Sequence, residues 1–340
     1  MFIKPVAVVH LDHAAPFLTG GGANLMQDVA SPFKLITGTQ QGQFSLINAD
    51  FECRQISLQA DVGNAWSFAI DSSNERIAIA HDSMITVATI DGKTRTQFEP
   101  PKLDSNATKR FQREFSGCYF DLDNSLWCVA GTSERSLVVQ LRDPDNGTVK
   151  DQCTLNDPLG SSAGSFYPTP DRNTVALWIT AGQDGQIINW LNKLNGVTAV
   201  EESQLKSTTP PEYSASGEEF LVRSIQGDIY RCGFPDVVET GRCSGKSLED
   251  DGFGSSLAWL DDQNGLVRTF EGRLFRIDLQ SMTLADEVKL DLPDGVTKDA
   301  SGASYFRPVG DLLVFVCQRE KQPKWKDSLV IYRAVDFLKS

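Results

Sequence analysis

The quartets Gln41-Gly42-Gln43-Phe44, Asp184-Gly185-Gln186-Ile187, Gln226-Gly227-Asp228-Ile229 and Glu271-Gly272-Arg273-Leu274 decide the fold. Each is a glycine turn running into an apolar strand: glycine takes a positive φ without a Cβ penalty, and the β-branched, aromatic or leucine residue that follows fits a pleated surface. Gly185, Gly227 and Gly272 lie 42 and 45 residues apart. Gly42 precedes Gly185 by three periods of about 48 residues, and such spacings belong to a four-stranded propeller blade. Between these marks, short Val, Ile, Leu and Phe runs bounded by Gly, Asp, Asn or Pro recur about every 8 to 12 residues, which reads as strand after strand. Several strands per period exclude a helical solenoid, and no long amphipathic helical pattern interrupts them.

Working outward from those marks, the chain divides into seven blades. The first spans about Ala23 to Leu58. The second spans about Asn64 to Phe98, with successive strands Trp66-Ser67-Phe68-Ala69-Ile70, Arg76-Ile77-Ala78-Ile79-Ala80 and Met84-Ile85-Thr86-Val87. The third runs near Glu114 to Leu155, the fourth near Ala163 to Leu205, the fifth near Pro210 to Cys243 and the sixth near Gly254 to Leu290. The last begins about Ser301 and supplies three strands before the chain ends. The strand-like run Lys4 to His10 stands before the first complete blade and is free to be the missing fourth strand, which removes an open sheet edge. The expectation is therefore an all-β chain, residues 1–340 forming a single seven-bladed β-propeller of four-stranded antiparallel blades, closed by the amino-terminal strand pairing with the last blade. Tandem β-sandwiches compete, but they account for neither the steady period nor the orphan strand.

Within the fourth blade, Ala181-Gly182-Gln183-Asp184-Gly185-Gln186-Ile187-Ile188-Asn189-Trp190 resembles the turn and third strand of the WD40 family, in which an Asp-Gly turn precedes an apolar strand ending in Trp. Leu191 stands where that family usually has Asp, and no blade carries its Gly-His dipeptide. The resemblance implies a propeller fold and binding of protein partners; it names no partner.

Composition sets the limits on function. The 340 residues are 40% hydrophobic and 23% charged, an ordinary globular balance. With 45 acidic against 32 basic residues the net charge is -13, a field that repels phosphate backbones and anionic membrane surfaces, so nucleic acid is not the expected partner. No apolar run approaches the roughly 18 residues that span a bilayer, and the amino terminus lacks an apolar core followed by a small-residue cleavage site, so neither membrane insertion nor a leader is expected. The seven cysteines lack disulfide-framework or metal-knuckle spacing, which fits a reducing cytoplasm. Cys118 and Cys128 flank the turn at Leu122-Asp123-Asn124, so a hairpin there places them opposite each other as two buried thiols, or as a redox pair.

Motifs that resemble catalytic ones fail on context. Gly160-Ser161-Ser162-Ala163-Gly164 fits the nucleophile-elbow pattern, but a strand-like run follows it where an elbow needs a helix. His81-Asp82-Ser83 has triad residue types, yet adjacent residues of a strand point to opposite faces and cannot relay a proton. His10-Leu11-Asp12-His13 offers two imidazoles and a carboxylate without identified third and fourth ligands, so His10, Asp12 and His13 form an incomplete metal set. Asp121-Leu122-Asp123-Asn124 and Asp143-Pro144-Asp145-Asn146-Gly147 lack the distal Glu of a calcium loop and read as Asx turns. Thr19-Gly20-Gly21-Gly22 lacks the Gly-Lys-Ser or Gly-Lys-Thr of a phosphate cradle. No catalytic residue, cofactor or metal is expected.

The longest connections carry the binding expectation, since long loops in a compact fold are often functional. Phe98 to Phe115 contains Lys109, Arg110 and Arg113, with Ala107, Phe111 and Phe115 spaced for one short helix. Gln318 to Ser328 contains Trp325 and Lys326, and Ser244 to Ser256 holds Glu249-Asp250-Asp251. In a propeller the connections between second and third strands, and between one blade and the next, emerge on the same face. The reading is a non-catalytic scaffold that binds a protein or acidic peptide there, through Lys109, Arg110, Arg113, Trp325 and Lys326, with membership of a larger complex open. The alternative is a propeller enzyme, a lactonase-like hydrolase with its site at the central channel.

Overall fold

A computed structural model describes residues 2–11, 26–28, 33–38, 43–58, 62, 65–73, 75–81, 84–101, 116–133, 136–156, 164–171, 173–180, 186–202, 207–248, 251–294, 296–297, 305–319 and 327–339. The chain folds into seven antiparallel sheets of mostly four strands each, a seven-bladed β-propeller arrangement. Two compact units hold these blades: Pro16–Ala49 with Arg54–Lys206, and Met1–Ala15 with Asp50–Cys53 and Ser207–Ser340.

The first unit contains blades 1 to 4. Blade 1 is Met26–Asp28, Phe33–Gly38, Phe44–Asn48 and Cys53–Ile56, whose first residue falls in the other unit; blade 2 is Ala65–Ile70, Arg76–His81, Met84–Thr89 and Thr94–Phe98. Blade 3 is Gly117–Phe120, Leu126–Ser133, Ser136–Arg142 and Val149–Asn156, and blade 4 is Gly164–Pro168, Thr174–Thr180, Gln186–Asn192 and Thr198–Glu202. Burial grades across a blade. In blade 2, Ile77 to His81 are all buried, whereas the fourth strand alternates between exposed and half-buried residues. A strand covered on both faces needs a continuous apolar run, and a last strand facing water tolerates Thr, Arg and Gln.

Blades pack through their sheet faces. Ala69, Ala78, Ala80, Ile85 and Val87 of blade 2 meet Cys118, Phe120, Leu126, Cys128 and Ala130 of blade 3. The small side chains allow close approach, so the Cys118 thiol donates weakly to the carbonyls of Ala78 at 3.5 Å and Ser67 at 3.8 Å. Cys118 is the register partner of Cys128, as the hairpin reading expected, and both are buried free thiols.

The turn between first and second strands is fastened by the same device in several blades. Asp71 accepts the amides of Glu75 and Arg76, Asp171 accepts the Asn173 amide, and Asp261 accepts the amides of Gln263 and Asn264. An Asx carboxylate here satisfies turn donors that no sheet partner reaches. In blade 3, Asp121 accepts the amides of Asp123 at 2.9 Å and Ser125 at 3.0 Å, Trp127 Nε1 at 3.0 Å and Lys193 Nζ at 2.5 Å. These bonds account for the turn read as Asx from sequence.

The second unit contains blades 5 to 7. Blade 5 is Glu212–Tyr213, Glu219–Arg223, Ile229–Gly233 and Glu239–Cys243; blade 6 is Phe253–Trp259, Asn264–Thr269, Leu274–Asp278 and Thr283–Leu290. Blade 7 is Tyr305–Val309, Leu312–Arg319 and Asp327–Arg333, and Ala7–His10 supplies its fourth strand antiparallel to the last, pairing Ala7 with Ile331 and Val9 with Leu329. The amino-terminal strand therefore completes the last blade, although Lys4 to Val6 lie outside it. Two additions escape sequence reading. Phe2–Ile3 pairs in parallel with Lys289 and Leu290 of blade 6, and Val296–Thr297 adds to Leu312–Arg319.

Two of the expected loops are shorter than read. Strand pairing continues through Gln318 and Asp327, so Arg319, Asp327 and Ser328 belong to strands. Gly245–Leu248 forms a 3-10 turn whose Leu248 enters the core, and the strand of blade 6 starts at Phe253, so the connection is shorter than Ser244 to Ser256. Burial of its apolar side chain holds Leu248 there.

Candidate functional site

The five residues expected to bind a partner, Lys109, Arg110, Arg113, Trp325 and Lys326, lie outside the described residues. So do Asp12 and His13, Ser162 with the first four residues of its motif, Asp82 and Ser83, Thr19 to Gly22, the short helix expected at Ala107 to Phe115, and Glu249 and Asp250. What the structure does assemble is one face of blades 5 and 6, built from the hairpins that join second to third strands and the connection between the blades.

Hydrogen bonds tie these segments together. Asp228, in the blade 5 hairpin, accepts the Gly245 amide at 3.1 Å. From the blade 6 hairpin, the Phe270 amide donates to the Gly252 carbonyl at 3.0 Å and the Glu271 amide to Asp251 Oδ1 at 2.9 Å. The two hairpins repeat one another: Ser224 and Thr269 open them, Gly227 and Gly272 take φ of 88° and 85°, and Arg223 and Arg268 are the last residues of their strands paired with the third strand. A positive φ at this position is why each turn carries glycine.

At this corner Arg223 is only 9% exposed, and its Cζ lies 5.0 Å from the ring centroid of Phe270, itself 57% exposed. Arg223 Nη1 donates to Thr208 Oγ1 at 2.5 Å, while its Nε makes no hydrogen bond among the described residues. Burial lowers the pKa of this guanidinium below its ordinary value. Asp251 is also buried, at 7% exposure, and its Oδ2 makes no hydrogen bond among the described residues. The blade 6 hairpin further lines a pocket of 220 Å³ that holds Arg268, Arg273 and Lys289 together with Leu274, Val288 and Phe315. Phe2 forms part of its wall, and Arg273 pairs with Glu287 at 3.0 Å.

A second titratable group sits on the first strands of the blades. Burial lifts the Glu212 carboxyl from 4.5 to about 8, and the charge of Arg307 draws it partly back. Glu212 keeps partial contact with solvent. Tyr305 is raised above its ordinary value by burial, with Arg307 opposing and Asp327 adding to the shift. A carboxyl that stays largely protonated at neutral pH can donate a proton.

The described residues of the remaining motifs make local contacts. His10 Nδ1 lies 2.8 Å from Ser328 Oγ on the closing strand, and His81 Nε2 lies 2.9 Å from Thr86 Oγ1. No group of three or more metal-ligating side chains occurs among the described residues. Burial pushes the Cys118 thiol to about 12 and Cys128 well above the ordinary value, so neither is a ready thiolate. Gly147, with φ of 74°, and Asp143 form the expected turn, in which the Asp145 amide donates to Asp143 Oδ1 at 2.9 Å. No helix among the described residues is long and apolar enough to cross a membrane.

The corner of Arg223 and Phe270 was missed from sequence, although its mark was present. Arg223 and Arg268 each end an apolar run, Phe220-Leu221-Val222 and Leu266-Val267, four residues before the turn glycine that defines the repeat. The chain matches no protein-family model and no curated protein. The propeller class therefore rests on the blades themselves, and membership of the WD40 family is not shown.

Proposed function

We propose that this propeller is a non-catalytic scaffold that binds a protein or acidic peptide on the hairpin face of blades 5 to 7. The observation that carries the reading is the pocket of 220 Å³, which combines Arg268, Lys289 and the Arg273–Glu287 pair with apolar walls and opens along the same hairpin that exposes Phe270. An apolar slot with a few charged groups is the usual form of a recognition site, and an exposed aromatic beside it is a typical anchor. A cytoplasmic location and a place in a larger complex belong to this proposal, as do Lys109, Arg110, Arg113, Trp325 and Lys326 as further contacts.

Site-specific photo-cross-linking tests it. A cross-linker at Phe270 is expected to capture a defined partner, and a cross-linker at the exposed Leu122 is not. Reversing Lys109, Arg110 and Arg113 to Glu, or replacing Trp325 by Ala, is expected to weaken that capture. Equal capture from both positions, unaffected by the substitutions, would show that the binding surface lies elsewhere.

A hydrolase remains the second reading, and one observation favours it: Glu212, with its carboxyl at about 8, beside the charge of Arg307. Its test is hydrolysis of a lactone panel by the wild type and by Glu212→Gln. Turnover lost only in the variant would favour the enzyme.

A further inference from the structure

We propose that Arg223 is a docking point for a carboxylate, the Asp or Glu side chain of a peptide bound on the hairpin face, with Phe270 packing against the neighbouring apolar residue. The inference rests on the peptide-binding reading above and assigns the residue that reads the acidic side chain.

Arg223 is held before any ligand arrives. Its amide donates to Thr209 Oγ1 at 2.8 Å, its carbonyl accepts the Thr208 amide at 2.7 Å, and Thr208 Oγ1 accepts Nη1. Fixing a long side chain in advance removes an ordering cost from binding. Yet no carboxylate neutralises the buried charge among the described residues. The two carboxylates bonded into this corner are committed elsewhere: Asp228 to the Gly245 amide, with Arg242 at 4.0 Å, and Asp251 to the Glu271 amide. Removing an uncompensated cation from water is unfavourable, and the ring of Phe270 offers it a quadrupole but no counter-charge.

The missing charge is best supplied by a monoanion. One guanidinium carries one charge, which a single carboxylate balances and a dianionic phosphate exceeds. A guanidinium also matches a carboxylate through two parallel N–H donors. At Gly227 a Cβ would lie 3.9 Å from Arg223 Nη2, so glycine leaves that side of the guanidinium open. The exposed ring of Phe270 and the nearby pocket call for apolar residues next to the acid, which points to a peptide rather than a free small acid.

The full chain, labelled with ¹⁵N-arginine, is titrated with acetyl-Leu-Glu-Leu-Gly-amide, its Gln counterpart, free glutamate and inorganic phosphate. The Glu peptide is expected to shift the Arg223 Nε–Hε resonance saturably. The Gln peptide, free glutamate and phosphate are expected to bind at least tenfold more weakly. Arg223→Gln should lose this preference, and Arg223→Lys, which keeps the charge without the fork, should retain part of it; both are checked for an unchanged melting profile. Equal binding of Glu and Gln peptides, no binding of the Glu peptide at millimolar concentration, a preference for phosphate, or an unmoved Arg223 resonance each overturn the inference. Cross-linking at Phe270 that persists in Arg223→Gln would remove the carboxylate contact while leaving the scaffold reading intact. Loss of specific capture in the wild type would remove the scaffold reading itself.

Discussion

Blade 3 and the hairpin corner of blades 5 and 6 bury the same kinds of charge in opposite ways. In blade 3, Arg142 is 7% exposed, and its guanidinium donates to Gln140 Oε1 at 2.9 and 2.6 Å, to the Gly147 carbonyl at 3.0 Å and to the Glu99 carbonyl at 3.2 Å, with Phe98 against its face. Asp121, in the same blade, accepts four donors. At the hairpin corner, among the described residues, Arg223 has one side-chain hydrogen bond and Asp251 leaves an oxygen without any. Buried polar groups are normally satisfied, so a charge fully occupied by its own fold is structural, whereas a buried charge left short of partners can be completed by something else. The contrast teaches that burial of an ion says little until its partners are counted.

The largest expected effect is at Asp121. Asp121→Ala removes the acceptor of two turn amides and an indole N–H, and strips Lys193 of its buried partner, so the loss is expected to be about 4 kcal/mol. Asp251→Ala, at the corner, is expected to cost about 1 kcal/mol, because one amide bond goes while an unsatisfied oxygen disappears with it. Urea unfolding of both variants checks the pair, and similar losses would break the comparison. Arg142→Met comes next, at about 2 kcal/mol, since it leaves the Gln140 side chain and two backbone carbonyls short of a charged donor in a buried setting.

The outlines of this fold were legible because turn glycines and apolar runs repeat, and the repeat is a local property. The blade limits read from Gly185, Gly227 and Gly272 agree with the strands, and the orphan amino-terminal run does pair with Asp327–Arg333. Phe2–Ile3 was not legible, because two residues carry no alternation to read. Glu212 stands in a strand just as short, so nothing in its neighbourhood announces that the carboxyl is held by burial near neutrality. Arg223 was visible as a residue but not as a site, since the missing counter-charge is a tertiary fact that only the neighbours of blade 6 reveal.

Glu212 extends the comparison to pH. Its folded value of about 8 lies above the ordinary 4.5, so the fold prefers the protonated acid. The stability this contributes is complete below pH 4.5, is lost progressively as pH rises, and is gone above about pH 8. Glu212→Gln copies the protonated form. Its melting temperature is therefore expected to match the wild type near pH 4.5, to exceed it by a margin that widens up to about pH 8, and to keep that margin above. A difference independent of pH would show that the carboxyl titrates normally.

The smallest expected change in stability, and the sharpest test of the contrast, is Arg223→Met. Methionine keeps an unbranched apolar stem of similar reach, so it preserves packing beneath Phe270 while removing the charge. The substitution sacrifices the bond to Thr208 and the contact with the aromatic ring, which together favour the wild type by about 2 kcal/mol. Against this stands relief from burying a cation that no carboxylate among the described residues neutralises, a term of comparable size and opposite sign. The net change is expected within about 1 kcal/mol of zero, in either direction, whereas a cation integral to the fold would follow Arg142 in losing about 2 kcal/mol. Residues kept for binding commonly cost stability, so a neutral or stabilising Arg223→Met that also loses the Glu-peptide response ties the two observations to one cause. A loss equal to that of Arg142→Met would place Arg223 among the structural arginines and dissolve the distinction between the two regions.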